Sequence, residues 1–99
     1  MGEILILLPE AVRDIADTYN WYEERRTGLG GEFIQEVEAC FESILRHPER
    51  YAIVHESYRR ALIRRFPYVV FYEHSGDTVT VYAVFHSSRD PMAWRVRLP

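Results

Sequence analysis

Lysine is absent from this 99-residue chain, and all twelve basic residues are arginine. No depressed-pKa lysine can therefore serve as a base or a Schiff-base nucleophile. Planar guanidinium forks remain, suited to bidentate recognition of carboxylates and phosphates. The single Asn20 and single Gln35 fit the codon bias of a GC-rich genome, which is a simpler source of the same arginine preference. The one cysteine, Cys40, cannot close an intrachain disulfide, so a disulfide-stapled secreted fold is excluded. The apolar run at residues 4–8 is far shorter than the roughly 20 residues a membrane span needs. Glu3 stands where a signal peptide would carry basic residues, so a cytoplasmic protein without membrane association is expected. Glycine-rich phosphate loops, Gly-x-Ser-x-Gly elbows and Ser/His/Asp arrangements are also missing. His47, His55 and His74 have no zinc-site spacing, so neither metal nor cofactor is expected.

What is present is a globular composition, 47% apolar and 14% aromatic, in one domain's length of chain spanning residues 1–99. The net charge of −3 conceals a division. Residues 1–49 hold eleven acids against four arginines, and residues 50–99 hold eight arginines against four acids. Either one surface is built for an acidic partner or polyanion, or an acidic layer complements a basic layer within the fold.

Periodicity divides the chain the same way. Residues 3–8 read as a first strand buried on both faces, ended by Pro9. Val12, Ile15, Ala16, Tyr19 and Tyr22 then recur at helical spacing, and residues 27–31 (TGLGG) terminate that helix. A second helix is expected over about residues 32–47, with Phe33, Val37, Cys40, Phe41, Ile44 and Leu45 on one face and Pro48 as its stop. The period then falls to two. Residues 58–63, 68–74 and 78–86 are rich in Tyr, Val, Phe and Thr and read as strands, the last pair joined by a turn at residues 74–77. The order is β-α-α-β-β-β, an α+β fold with a helical hairpin on a mainly antiparallel sheet. The tail from residue 87 carries Trp94 as its one large apolar anchor and reads as lightly tethered.

Three segments taken together, NWYEERRTGLGGEF, YRRALIRRFPYVVFYEH and VYAVFHSSRDPMAW, resemble the ParE branch of the RelE/ParE superfamily of toxins from bacterial type II toxin–antitoxin modules. The resemblance runs from about residue 8 to residue 97, and it implies the same β-α-α-β-β-β layout. It implies a toxin neutralised by a cognate ParD-like antitoxin in a hetero-oligomer. In the ParE branch the target is DNA gyrase, inhibited without enzymatic chemistry and without direct nucleic-acid binding. In the RelE branch the target is ribosome-bound mRNA, which is cleaved. One scaffold hosting both activities means that the fold does not choose between them.

Candidate residues divide accordingly. Metal-independent RNA cleavage needs a base, an acid and cations for the phosphorane, for which His86, Arg64, Arg65 and Arg89 are the available groups. Trp94 stands where RelE-like nucleases place a tyrosine, and an indole N–H has no useful acidity, so an inhibitor is favoured over an enzyme. Target binding is expected of Arg89, Trp94, Arg95 and Arg97 in the tail, and of Trp21, Arg25 and Arg26 near the tip of the helical hairpin. Antitoxin binding is expected of Arg59, Arg60, Arg64 and Arg65 with Tyr68 and Tyr72, where arginine forks meet acidic side chains. In-cis pairing with Glu56, Glu73 or the helix acids is the competing role for some of these arginines.

Overall fold

The computed structural model describes residues 3–98. In chain order it comprises β1 (Ile4–Leu7), α1 (Pro9–Arg25), α2 (Leu29–Arg46), β2 (Ile53–His55), β3 (Tyr58–Leu62), β4 (Tyr68–Ser75), β5 (Thr78–His86) and α3 (Pro91–Arg97). The five strands form one sheet in the order β1-β5-β4-β3-β2, with β1 parallel to β5 and the other pairs antiparallel. The α+β layout is the expected one with two additions. β2 has only three residues, too few for alternation to show in the sequence. α3 has seven residues and shows its role only through what it packs against.

Pro9 opens α1, where its missing N–H is one that the first turn leaves unpaired anyway. The buried stripe of α1 is Ala11, Ile15, Thr18 and Tyr22, whereas Val12 and Ala16 of the expected stripe are exposed. Spacings of three and four admit both rows. The structure turns the row of Ala11 and Thr18 inward. The Thr18 hydroxyl is satisfied by donating to the Asp14 carbonyl at 2.8 Å.

The second helix begins at Leu29, three residues before its expected start. Gly28 turns the chain at φ +93°, a left-handed value that glycine adopts freely. The Glu23 carboxylate of α1 then accepts hydrogen bonds from the Gly28 and Gly30 N–H groups, both at 2.9 Å. The end of α1 thereby satisfies donors that the first turn of α2 would leave orphaned. Gly30 is glycine for packing, since a Cβ there would lie 2.8 Å from two ring carbons and the carbonyl oxygen of Tyr19. Glycines that read as a loop are thus the closest approach of the two helices.

Phe33, Val37, Cys40, Phe41 and Ile44 are buried as their spacing predicts. Burial pushes the Cys40 thiol up to about 11, so it behaves as a small apolar core residue. Phe66, just before β4, inserts between Tyr22 and Phe33, with ring centres 4.9 and 5.4 Å away, and ties the hairpin to the sheet. β1 is an edge strand rather than one buried on both faces. Leu5 and Leu7 meet the core, while Ile4 is 52% exposed and Ile6 is also open.

β5 departs from strict alternation. Phe71 and Tyr72 are adjacent in β4 but pair with Ala83 and Val81, so Tyr82 is an extra residue in β5. Val79 and Val81 face the helical hairpin before this bulge, and Val84 does after it. Ala83 and Phe85 go to the other face, where with Val69 and Phe71 they form a second small core under α3.

The two glycines of the first α2 turn separate packing from propensity. Gly30→Ala is expected to lower unfolding free energy by about 1–3 kcal/mol, because backbone as well as ring atoms must move. Gly31→Ala, with open space around its Cβ, should be neutral or stabilising by up to about 1 kcal/mol. Urea denaturation of the two variants checks the contrast.

Candidate functional site

The last helix is assembled by local chemistry. The Asp90 carboxylate accepts the Met92 N–H at 2.9 Å, and Pro91 occupies the first helical position. Trp94 stacks on Phe71 with ring centres 4.8 Å apart and planes 21° from parallel. Arg97 reaches across to α1, donating to the two Asp14 carboxylate oxygens at 3.0 and 3.3 Å and to the Tyr82 carbonyl at 3.2 Å. Asp14 also accepts the Val84 N–H at 3.0 Å, a strand donor beyond the reach of β1. The expectation of a lightly tethered tail is corrected, because a bidentate half-buried ion pair and a stacked indole fasten it. Arg97 is turned into the fold rather than toward a target.

Two cavities adjoin at His86 and Arg89, one against α3 and one between α1 and the end of β5. One, of about 130 Å³, is lined by Val54, Arg60, His86, Arg89 and Trp94 among others. The other, of about 190 Å³, is bounded by Asp17, Tyr68, His86 and Arg89. The His86 Nδ1 accepts the Ser88 N–H at 3.1 Å and lies 2.8 Å from the Ser88 hydroxyl. The Arg89 guanidinium lies over Phe85 at 4.1 Å, and that of Arg95 lies 5.4 Å from the Trp94 ring centre. Among the described residues, Arg60, Arg89 and Arg95 form no ion pair with a carboxylate.

Of the residues named for catalysis, the structure brings together His86 and Arg89 but not Arg64 and Arg65. Arg65 sits at the β3–β4 corner with φ +71° and donates to Glu32 at 2.8 Å, and Arg64 lines a cleft against α2. The hydrogen bond from Arg65, helped by Arg26, holds Glu32 below the usual carboxylate range. At the hairpin tip Trp21 is 48% exposed, with the Arg25 guanidinium 3.3 Å above its ring, while Arg26 pairs with Glu32 at 3.3 Å.

The expected antitoxin-binding residues also separate. Arg59 is engaged in cis, donating to the Glu49 and Tyr51 carbonyls at 3.1 and 2.7 Å. Tyr72 is fully buried and donates to the Pro48 carbonyl at 2.6 Å, so a partner cannot reach it. Its position opposite Arg59 in the ladder puts its side chain on the hairpin-facing side, which strand alternation alone leaves undecided. Tyr68 is half-buried beside Phe33, whereas Arg60 and Arg64 are exposed. Sequence reasoning missed Asp14 and Tyr82. Asp14 and Arg97 are separated by 83 positions, and a single-residue bulge has no sequence signal of its own.

Among the described residues no cluster of His, Cys, Asp and Glu is arranged to hold a metal ion, and no helix is long and apolar enough to cross a membrane. A helical hairpin on one face of the sheet and an arginine-fringed short helix on the other make a RelE/ParE-like architecture. The chain belongs to the ParE toxin family of type II toxin–antitoxin systems, parDE, whose family model matches residues 5–91. The match stops where α3 begins. Among solved structures the fold is similar to a chain of the chromosomal ParDE TA system from P. aeruginosa, at 12% identity with a TM-score of 0.75. That likeness covers 85% of this chain and 95% of the other. No individually curated protein matches the sequence.

Two outcomes follow from these contacts. Arg97→Ala leaves a half-buried carboxylate without its fork and should cost about 1–3 kcal/mol, while Arg95→Ala should stay within about 0.5 kcal/mol of the parent. Thermal melts followed by Trp fluorescence distinguish the two. Burial pushes the hydroxyls of Tyr72 and Tyr82 up to about 12, with Tyr58 and Glu73 adding to the shift at Tyr82. Both are raised above the unfolded value of about 10, so their contribution is fully present below pH 10 and is lost as pH rises toward 12. The melting temperature should therefore fall across that window.

Proposed function

We propose that this ParE-family chain acts as a non-enzymatic inhibitor of DNA gyrase and is held inactive by a ParD-like antitoxin. The observation that carries this reading is the surface around α3. Arg60, Arg89 and Arg95 stand there without carboxylate partners among the described residues, on a scaffold made rigid by the Asp14–Arg97 pair. Arginines with no partner in cis, next to a supported indole, suit a protein–protein contact. Proton-transfer chemistry is less well supplied. One ring nitrogen of His86 is engaged by Ser88, and Arg64 and Arg65, which would share the charge of a phosphorane, stand at the β3–β4 corner away from it.

Purified gyrase supplies the test. The chain should block supercoiling, the antitoxin should restore it, and the variant combining Arg89→Ala with Arg95→Ala should lose the block while keeping its melting temperature. Cleavage of ribosome-bound mRNA in a translation extract, with supercoiling untouched, would reassign the chain to the nuclease branch and His86 with Arg89 to its site.

A further inference from the structure

A separate cleft of about 410 Å³ opens between α2 and the β3 edge. Its apolar lining is Ala39, Cys40 and the Tyr51 ring, and the Leu62 backbone forms part of its floor, with the Cys40 thiol 4.0 Å from the Leu62 carbonyl oxygen. One wall is a fixed polar network. The Ser43 and Tyr51 hydroxyls are 2.6 Å apart, and the Arg50 guanidinium donates to them at 3.2 and 3.4 Å. Arg46 and Arg64 complete the lining from α2 and from the segment after β3, and among the described residues neither forms an ion pair. Three guanidinium groups thus converge on one cleft against a single carboxylate, that of Glu36.

The geometry points to this cleft as the seat of an acidic segment of the antitoxin, with carboxylates paired to Arg46 and Arg64 and an aliphatic side chain laid over Ala39 and the Tyr51 ring. The inference rests on the reading of the chain as an antitoxin-held toxin and adds where, and with what chemistry, the antitoxin is gripped. Guanidinium forks bind carboxylates bidentately, and Ala39 with the Tyr51 ring supplies the apolar contact that distinguishes a peptide from a free anion. A long nucleic-acid strand fits less well. Exposed Glu38 and Glu42 on α2 would repel phosphates continuing past the cleft, in a chain already carrying net charge −3. A short acidic peptide segment meets three arginines against the one carboxylate of Glu36.

The test is a calorimetric titration of the toxin with the antitoxin encoded beside it. It compares the wild type, the variant combining Arg46→Gln with Arg64→Gln, and Arg13→Gln on the exposed side of α1 as a control. The double variant should bind about a hundredfold more weakly, about tenfold for each arginine, with an unchanged melting temperature. Raising salt from about 50 to about 300 mM should weaken the wild type more than the double variant. Equal affinity of the double variant and the wild type would overturn the cleft while leaving the antitoxin reading intact. Absence of binding by the wild type would remove both. A short RNA oligomer that displaces the antitoxin from the wild type but not from the double variant would give the cleft to nucleic acid and overturn the assignment.

Discussion

A single extra residue in β5 governs how this small chain uses both faces of its sheet. With strict alternation, the positions that follow Val79 and Val81 onto the hairpin side would be Ala83 and Phe85. The bulge at Tyr82 exchanges the faces, so Val84 closes the hairpin core while Ala83 and Phe85 pass to the far side. That exchange creates the apolar floor on which Trp94 stacks, and without it α3 would have nothing to cover. The same irregularity lies where β1 has ended, leaving the Val84 N–H to be satisfied by Asp14 of α1. Asp14 is thereby fixed in place to receive Arg97, so one inserted residue leads to the docking of the last helix.

Charge is distributed by the same architecture. The acidic first half forms the hairpin and the basic second half forms most of the sheet, so part of the division is internal complementarity. Glu32 binds Arg26 and Arg65, and Asp14 binds Arg97. Exposed pairs such as those of Glu32 contribute little to stability, and their clearer effect is to hold the β3–β4 corner against α2. Most of the remaining arginines gather in two places, Arg60, Arg89 and Arg95 around α3 and Arg46, Arg50 and Arg64 around the α2–β3 cleft, while Arg13 and Arg25 stand on α1. Both readings of the charge asymmetry therefore apply, to different residues.

The helical hairpin shows how a local rule is overridden by packing. Gly28, Gly30 and Gly31 read as a terminator because glycine is the commonest residue after a helix end. Only Gly28 has that role, whereas Gly30 is there because Tyr19 leaves no room for a Cβ. Likewise Val12 has the spacing of a core residue and is exposed, while Ala11 and Thr18 are buried, because helical spacing admits either row and tertiary packing chooses between them. The segment FPY at residues 66–68, part of what carried the family resemblance, has a packing role, because Phe66 and Tyr68 join the hairpin to the sheet.

The sequence by itself determined the fold class, the order of the two long helices and three main strands, and the α2 core stripe. These depend on periodicity and on turn residues, which act over a few neighbours. It also determined the absence of lysine chemistry and of an intrachain disulfide. Which arginines remain available was decided only by tertiary structure. Arg59, Arg65 and Arg97 look no different in sequence from Arg60, Arg64 and Arg89, yet the first three are engaged by groups that the fold brings to them. A guanidinium has the same length and charge wherever it stands, and whether it meets a partner depends on where elements far apart in the chain come to rest.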